Sequence, residues 1–79
     1  MFNIGQVTAV RSVMRIAGFD GVLRVARIDS GDERLFVIPD ADLERMSHRR
    51  ETEQIIGQLL GCKVALVPES RVPAFEDFA

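Results

Sequence analysis

Apolar positions along this 79-residue chain come in short runs broken by glycine, proline and acidic clusters, a rhythm that predicts several short elements. Val22-Leu23-Arg24-Val25-Ala26-Arg27-Ile28 is rich in branched apolar residues and has the length of a strand. Asp29-Ser30-Gly31-Asp32 supplies turn residues that accept tight or positive-φ geometry. Arg34-Leu35-Phe36-Val37-Ile38 then reads as the returning strand of a hairpin, stopped by Pro39. Neither strand alternates cleanly between apolar and polar, so both faces are expected to be at least partly covered.

The period changes after Pro39. Pro39-Asp40-Ala41-Asp42 reads as a helix start, with Asp40 as the N-cap and Asp42 and Glu44 near the positive end of the helix dipole. Leu43 and Met46 anchor a short helix over 41–46. The apolar stripe lapses at Ser47-His48-Arg49-Arg50-Glu51 and resumes at Ile55, Ile56, Leu59 and Leu60, which share one helical face. That predicts a longer helix over 48–60, with Ser47 as its cap and Gly61 supplying the left-handed residue that ends it. Gly57 inside this helix costs roughly 1 kcal/mol against alanine and points to close packing there. Lys63-Val64-Ala65-Leu66-Val67 is a further strand closed by Pro68.

Residues 5–17 support two readings. Val10, Val13, Met14 and Ala17 fit a helical stripe with Gly18 as a stop, whereas Val7, Thr8, Val10, Val13 and Ile16 favour a strand. The Asp20-Gly21 pair is a hairpin-type turn and tips the reading to strand. The expected fold is therefore a small two-layer α+β domain. Its antiparallel sheet has three to four strands, a meander followed by a last strand after the helix. One main helix, preceded by a short one, packs on it. Residues 1–68 form this domain, and 69–79 form a C-terminal tail without a period.

Composition narrows the function classes. With 47% apolar and 28% charged residues the chain belongs with folded globular domains. A domain of this size buries only about 60% of the surface its unfolded chain exposes, so a stabilising partner surface or homo-oligomer is expected. One cysteine (Cys62) excludes an internal disulfide. With one histidine (His48) and neither tyrosine nor tryptophan, the inventory points away from an enzyme, a metal centre or a cofactor site. His48 has only Glu51 nearby in sequence and reads as a surface or capping residue. Cys62 follows a helix end and reads as a buried, inert thiol. The spacing of Asp40, Asp42 and Glu44 resembles a metal site, but no glycine turn follows them as a calcium loop requires. No segment reaches the ~18 apolar residues of a membrane span, and the lone thiol fits the cytoplasm.

The formal charge of −2 conceals an asymmetry. Arg11, Arg15, Arg24 and Arg27 face a single acid, Asp20, within residues 1–28, and acids predominate afterwards. If residues 5–28 form a hairpin, these four arginines gather into a patch suited to phosphate or carboxylate. The bland alternative is a compositional habit, since nine of the ten basic residues are arginine. Phe75 and Phe78, three apart among acids, offer a second docking element. The expectation is a small non-enzymatic protein-binding module, regulatory or inhibitory. Its partner would be another protein or a nucleoprotein complex, and its size and composition resemble phage and mobile-element products that block host machinery. The arginines would meet RNA or acidic protein. Asp40, Asp42, Glu44, Glu51 and Glu53 would enter a basic groove. The alternative is a dimeric nucleic-acid-binding regulator working through the arginine surface.

Overall fold

Residues 5–16 are helical, against the strand expectation for 5–17. The computed structural model of the protein describes residues 3–27 and 33–78 and opens with helix α1, Ile4–Ile16. Its start is a reciprocal capping box. The Asn3 side chain accepts the Gln6 backbone N–H at 2.8 Å, and the Asn3 N–H donates to Gln6 Oε1 at 3.0 Å. Val10 and Met14, four apart, are fully buried, and Val7, Val13 and Ala17 pack beside them. A capped end and a packed i, i+4 stripe outweigh the β preference of Val7, Thr8, Val10, Val13 and Ile16, because tertiary packing decides where propensities differ by only tenths of a kcal/mol. Asp20-Gly21 is therefore not a hairpin turn but part of the link from α1 into the sheet.

Strand β1 is Arg24–Ala26 and β2 is Glu33–Ile38, paired antiparallel as the hairpin expectation required. The turn at 29–32 and the end of the first expected strand at Ile28 lie outside the described residues. Helix α2 spans Asp40–Arg45, α3 spans Arg49–Leu60, and β3 spans Lys63–Pro68. β3 runs parallel to β2, from Glu33↔Lys63 to Ile38↔Pro68, so the sheet is mixed rather than antiparallel. The cause is the connection: two helices intervene, and a crossover of that kind returns the chain to the starting end, where only parallel pairing is open.

The fourth strand comes from the tail, not from residues 5–17. A 3-10 turn at Glu69–Arg71 leads to β4, Phe75–Asp77, which pairs antiparallel with β1. The order across the sheet is β3-β2-β1-β4. α1 and α3 pack on one face over a single core that includes Met14, Phe36, Ile38, Ile56 and Leu66. Phe78 closes that core edge-to-face on Phe36, ring centroids 4.9 Å apart. The two-layer α+β architecture thus stands with two main helices and the short α2.

The cap assignments differ from expectation. Pro39, not Asp40, holds the N-cap position of α2, and its side chain makes no capping bond. His48, not Ser47, precedes α3, in a left-handed conformation at φ 54°. That conformation is costly for a residue with a Cβ. Ser47 instead donates its backbone N–H to the Ala17 carbonyl at 3.3 Å and ties the α2–α3 joint to the end of α1. Gly61 ends α3 at φ 71°, as expected. Gly57 is forced by close approach: a Cβ there would lie 2.9 Å from the Cys62 carbonyl oxygen.

Candidate interaction surface

β3 and β4 are the two edges of the sheet, so residues 69–74 carry the chain from one edge to the other. Register alternation puts Phe36 on the helical face, and Val37, Arg24 and Phe75 on the opposite one. The Glu69 carboxylate lies 3.9 Å from the Arg24 guanidinium, which places the start of the crossing on that opposite face. Arg24 also lies over the Phe75 ring, 5.4 Å from its centroid. Val37, on that same face, is only 1% exposed.

Asp40 secures the crossing. Its carboxylate accepts the Ser70 hydroxyl at 2.5 Å and the Ser70 backbone N–H at 3.0 Å. The hydroxyl bond, then the backbone bond, holds its pKa below the ordinary aspartate value. A lowered folded-state pKa contributes stability above the unfolded value, and that contribution is lost as pH falls through the folded one. Wild type should therefore lose more stability than Ser70→Ala below about pH 4, as read by denaturant midpoints at neutral and acid pH. Equal losses would remove the latch from the account.

The four arginines do not converge. Arg11 and Arg15 stand on exposed turns of α1, and Arg15 pairs with Asp20 at 3.1 Å. Arg24 is on the open sheet face with Glu69 and Phe75. Arg27, three residues further along the chain, faces Glu76 at 3.5 Å on the other side. Three of the four are thus engaged with acids, and a strand cannot bring Arg24 and Arg27 to one face. The hairpin that would have gathered them is absent because residues 5–16 are helical.

The acids are similarly engaged. Asp42 pairs with Arg45, Glu51 with His48 Nδ1 at 3.1 Å, and Glu53 accepts the Leu66 backbone N–H at 2.7 Å. That last bond covers an otherwise open donor on edge strand β3. Glu44 is exposed on α2. Phe75 is half-buried beneath Arg24. Phe78, expected as a partner contact, is 8% exposed and packs in the core. Cys62 is half-buried and packs against the core. Among the described residues no three His, Cys, Asp or Glu side chains are placed to hold a metal ion, and no helix is long and apolar enough to cross a membrane.

What the structure does assemble is an apolar groove between α1 and α3. The helices run antiparallel: Gln6 Nε2 donates to the Leu59 carbonyl at one end, and Ser47 meets Ala17 at the other. Near the Ser47 end, Val13, Ile16, Ala17, Thr52 and Ile55 line a cavity of about 210 Å³. Ile16 stands 87% exposed at its lip, Ile55 is 47% exposed, and Leu59 continues the apolar line along α3 at 37%. His48 and Glu51, already paired with each other, are its polar rim. A larger depression of about 600 Å³ lies between α3 and β3, lined by Glu33, Arg50, Glu53 and Lys63 together with Cys62 and Val64. Its mixed charges select no ligand chemistry, whereas the α1/α3 groove exposes contiguous aliphatic surface that water disfavours.

The groove was missed because it depends on α1 being a helix. One signal was present. Ile55-Ile56 and Leu59-Leu60 double the apolar stripe of α3. Steps of 100° per residue turn Ile55 and Leu59 away from the core side held by Ile56 and Leu60. Comparison with family models, curated proteins and solved structures finds no match to this chain.

Proposed function

We propose that the protein is a small non-enzymatic protein-binding module, regulatory or inhibitory in action, and that it works through the α1/α3 face. The carrying observation is the aliphatic groove with Ile16, Ile55 and Leu59 exposed along it. Apolar burial of this kind is the main favourable term in protein association, and a partner seated there would be blocked or bridged by the domain. The arginines, dispersed and three of the four engaged with acids, become secondary contacts. This differs from a binding mode built on the arginine and phenylalanine surfaces.

The test is capture of partners from source-cell lysate on the tagged full chain, after nuclease treatment. Capture should be lost with Ile16→Glu or Ile55→Glu and retained with Arg24→Ala or Arg27→Ala. Capture that disappears on nuclease treatment, or that ignores Ile16→Glu, overturns the reading. The first result would move nucleic acid into the partner's place, and its steep salt dependence would then be the next observation to make.

A further inference from the structure

We infer that the α1/α3 face is occupied by a second copy of this chain, in a two-fold dimer that sets α1 of one protomer against α3 of its partner. The inference rests on the reading of this face as protein-binding and names the occupant.

Self-complementarity is the first argument. An isologous interface needs a projection and a recess on the same surface. Ile16 projects at 87% exposure beside a cavity of about 210 Å³, floored by Val13, Ala17 and Thr52. The rest of the face matches in the same way. Gly5, Ala9, Ser12 and Ile16 follow one another at i, i+4, i+7 and i+11 along one side of α1. Three small residues leave that side smooth until Ile16. On α3 the large residues Ile55 and Leu59 lie at the heights where α1 is small, because Gln6 sits level with Leu59 and Ala17 with Ser47. A two-fold axis parallel to the helices preserves height. It lays Ile55 and Leu59 of one copy over Gly5, Ala9 and Ser12 of the other, and brings Ile16 to the cavity. Ridges of large residues against rows of small ones are how helices pack closely.

Area and charge agree. Helices of 13 and 12 residues are each about 20 Å long, and two of them side by side project a face of roughly 400 Å². That projection is about two-thirds of the roughly 600 Å² per partner at which stable interfaces begin, and the accessible area of a corrugated helical face exceeds its projection. The rim side chains His48 and Glu51 already lie within hydrogen-bond distance of each other, Nδ1 to Oε2 at 3.1 Å, so closure leaves neither without a partner. Arg11 and Arg15 lie on the side of α1 turned from α3 by the same helical stepping, outside the seam.

Sedimentation equilibrium on the full chain, across a concentration series into the high micromolar range, tests this directly. The expected mass is twice that of the 8.8 kDa chain. Ile16→Glu, and Ser12→Arg on the smooth side, should each weaken the dimer by roughly 100-fold or more. Ile4→Glu, at an 85% exposed position on the other side of α1, should leave it intact. Circular dichroism confirms that each variant is folded. A monomeric wild type overturns the proposal. If lysate capture is still abolished by Ile16→Glu, the protein-binding reading survives with a different occupant, and if nothing is captured both fall. A dimer that tolerates Ile16→Glu and Ser12→Arg lies on another face and also overturns it.

Discussion

Phe36→Ala should cost the domain a large share of its stability. Phe36 is fully buried in the middle of β2, flanked in register by Val25 of β1 and Leu66 of β3, and it carries the Phe78 ring edge-to-face. Truncating a core phenylalanine removes its transfer free energy and leaves a cavity, together about 3–5 kcal/mol. A 79-residue chain has about 4–12 kcal/mol in total, at 0.05–0.15 per residue. The loss is therefore at least about a quarter of the margin, and comparable with all of it at the lower end. The aromatic contact adds roughly 0.5–1.5 kcal/mol beyond its area. Thermal unfolding followed by circular dichroism should show the midpoint lowered by more than about 10 °C, at 4–8 °C per kcal/mol for a domain of this size. A drop of only a few degrees would mean that Phe36 is not the centre of the core, and that α1 and α3 support each other without the sheet.

The residues that carry these effects differ in how far the sequence reveals them. The β1–β2 hairpin, helix α3, its Gly61 stop and strand β3 are legible because each is specified locally, by branched apolar runs, a helical stripe or a chain-breaking residue. Helix α1 is ambiguous locally, since Val7, Thr8, Val10, Val13 and Ile16 are β-branched. What decides it is the Asn3–Gln6 box at its start and the burial of Val10 and Met14 against neighbours that the local pattern cannot display. The parallel direction of β3 is likewise non-local, fixed by where α2 and α3 return the chain. Asp40 shows how a correct residue acquires a different role. Local pattern assigns its carboxylate to its own helix, but Ser70, thirty positions away, supplies two donors and takes it. The candidate site follows the same division. Its α3 half was visible as the doubled stripe at Ile55-Ile56 and Leu59-Leu60, while its α1 half emerged only with the helix.

Deletion of the chain after Arg71 should abolish the folded state rather than trim a flexible end. The deleted segment contains β4, whose residues pair with all of β1 through Arg24↔Asp77, Val25↔Glu76 and Ala26↔Phe75. Two further backbone bonds tie it down, Arg27 N–H to the Ala74 carbonyl and Phe78 N–H to the Leu23 carbonyl, both at 2.9 Å. Losing Phe78 alone costs about 3–5 kcal/mol on the scale for buried aromatics. Losing β4 also turns β1, only three residues long, into an open edge. The measurement is the dispersion of backbone amide NMR signals, which should collapse in the truncated chain. A truncated chain that stays dispersed, with a midpoint near wild type, would make the tail an appendage and return Phe78 to the surface. The outcome governs how binding data on the tail are read: a truncation that unfolds the domain destroys the α1/α3 groove as well, so its loss of partner says nothing about the tail. Phe75→Ala separates the two. It removes the ring beneath Arg24 on the open sheet face and leaves Phe78 in the core, so a partner that contacts the tail is lost while the fold remains. If the α1/α3 face carries the binding, Phe75→Ala captures partners as wild type does.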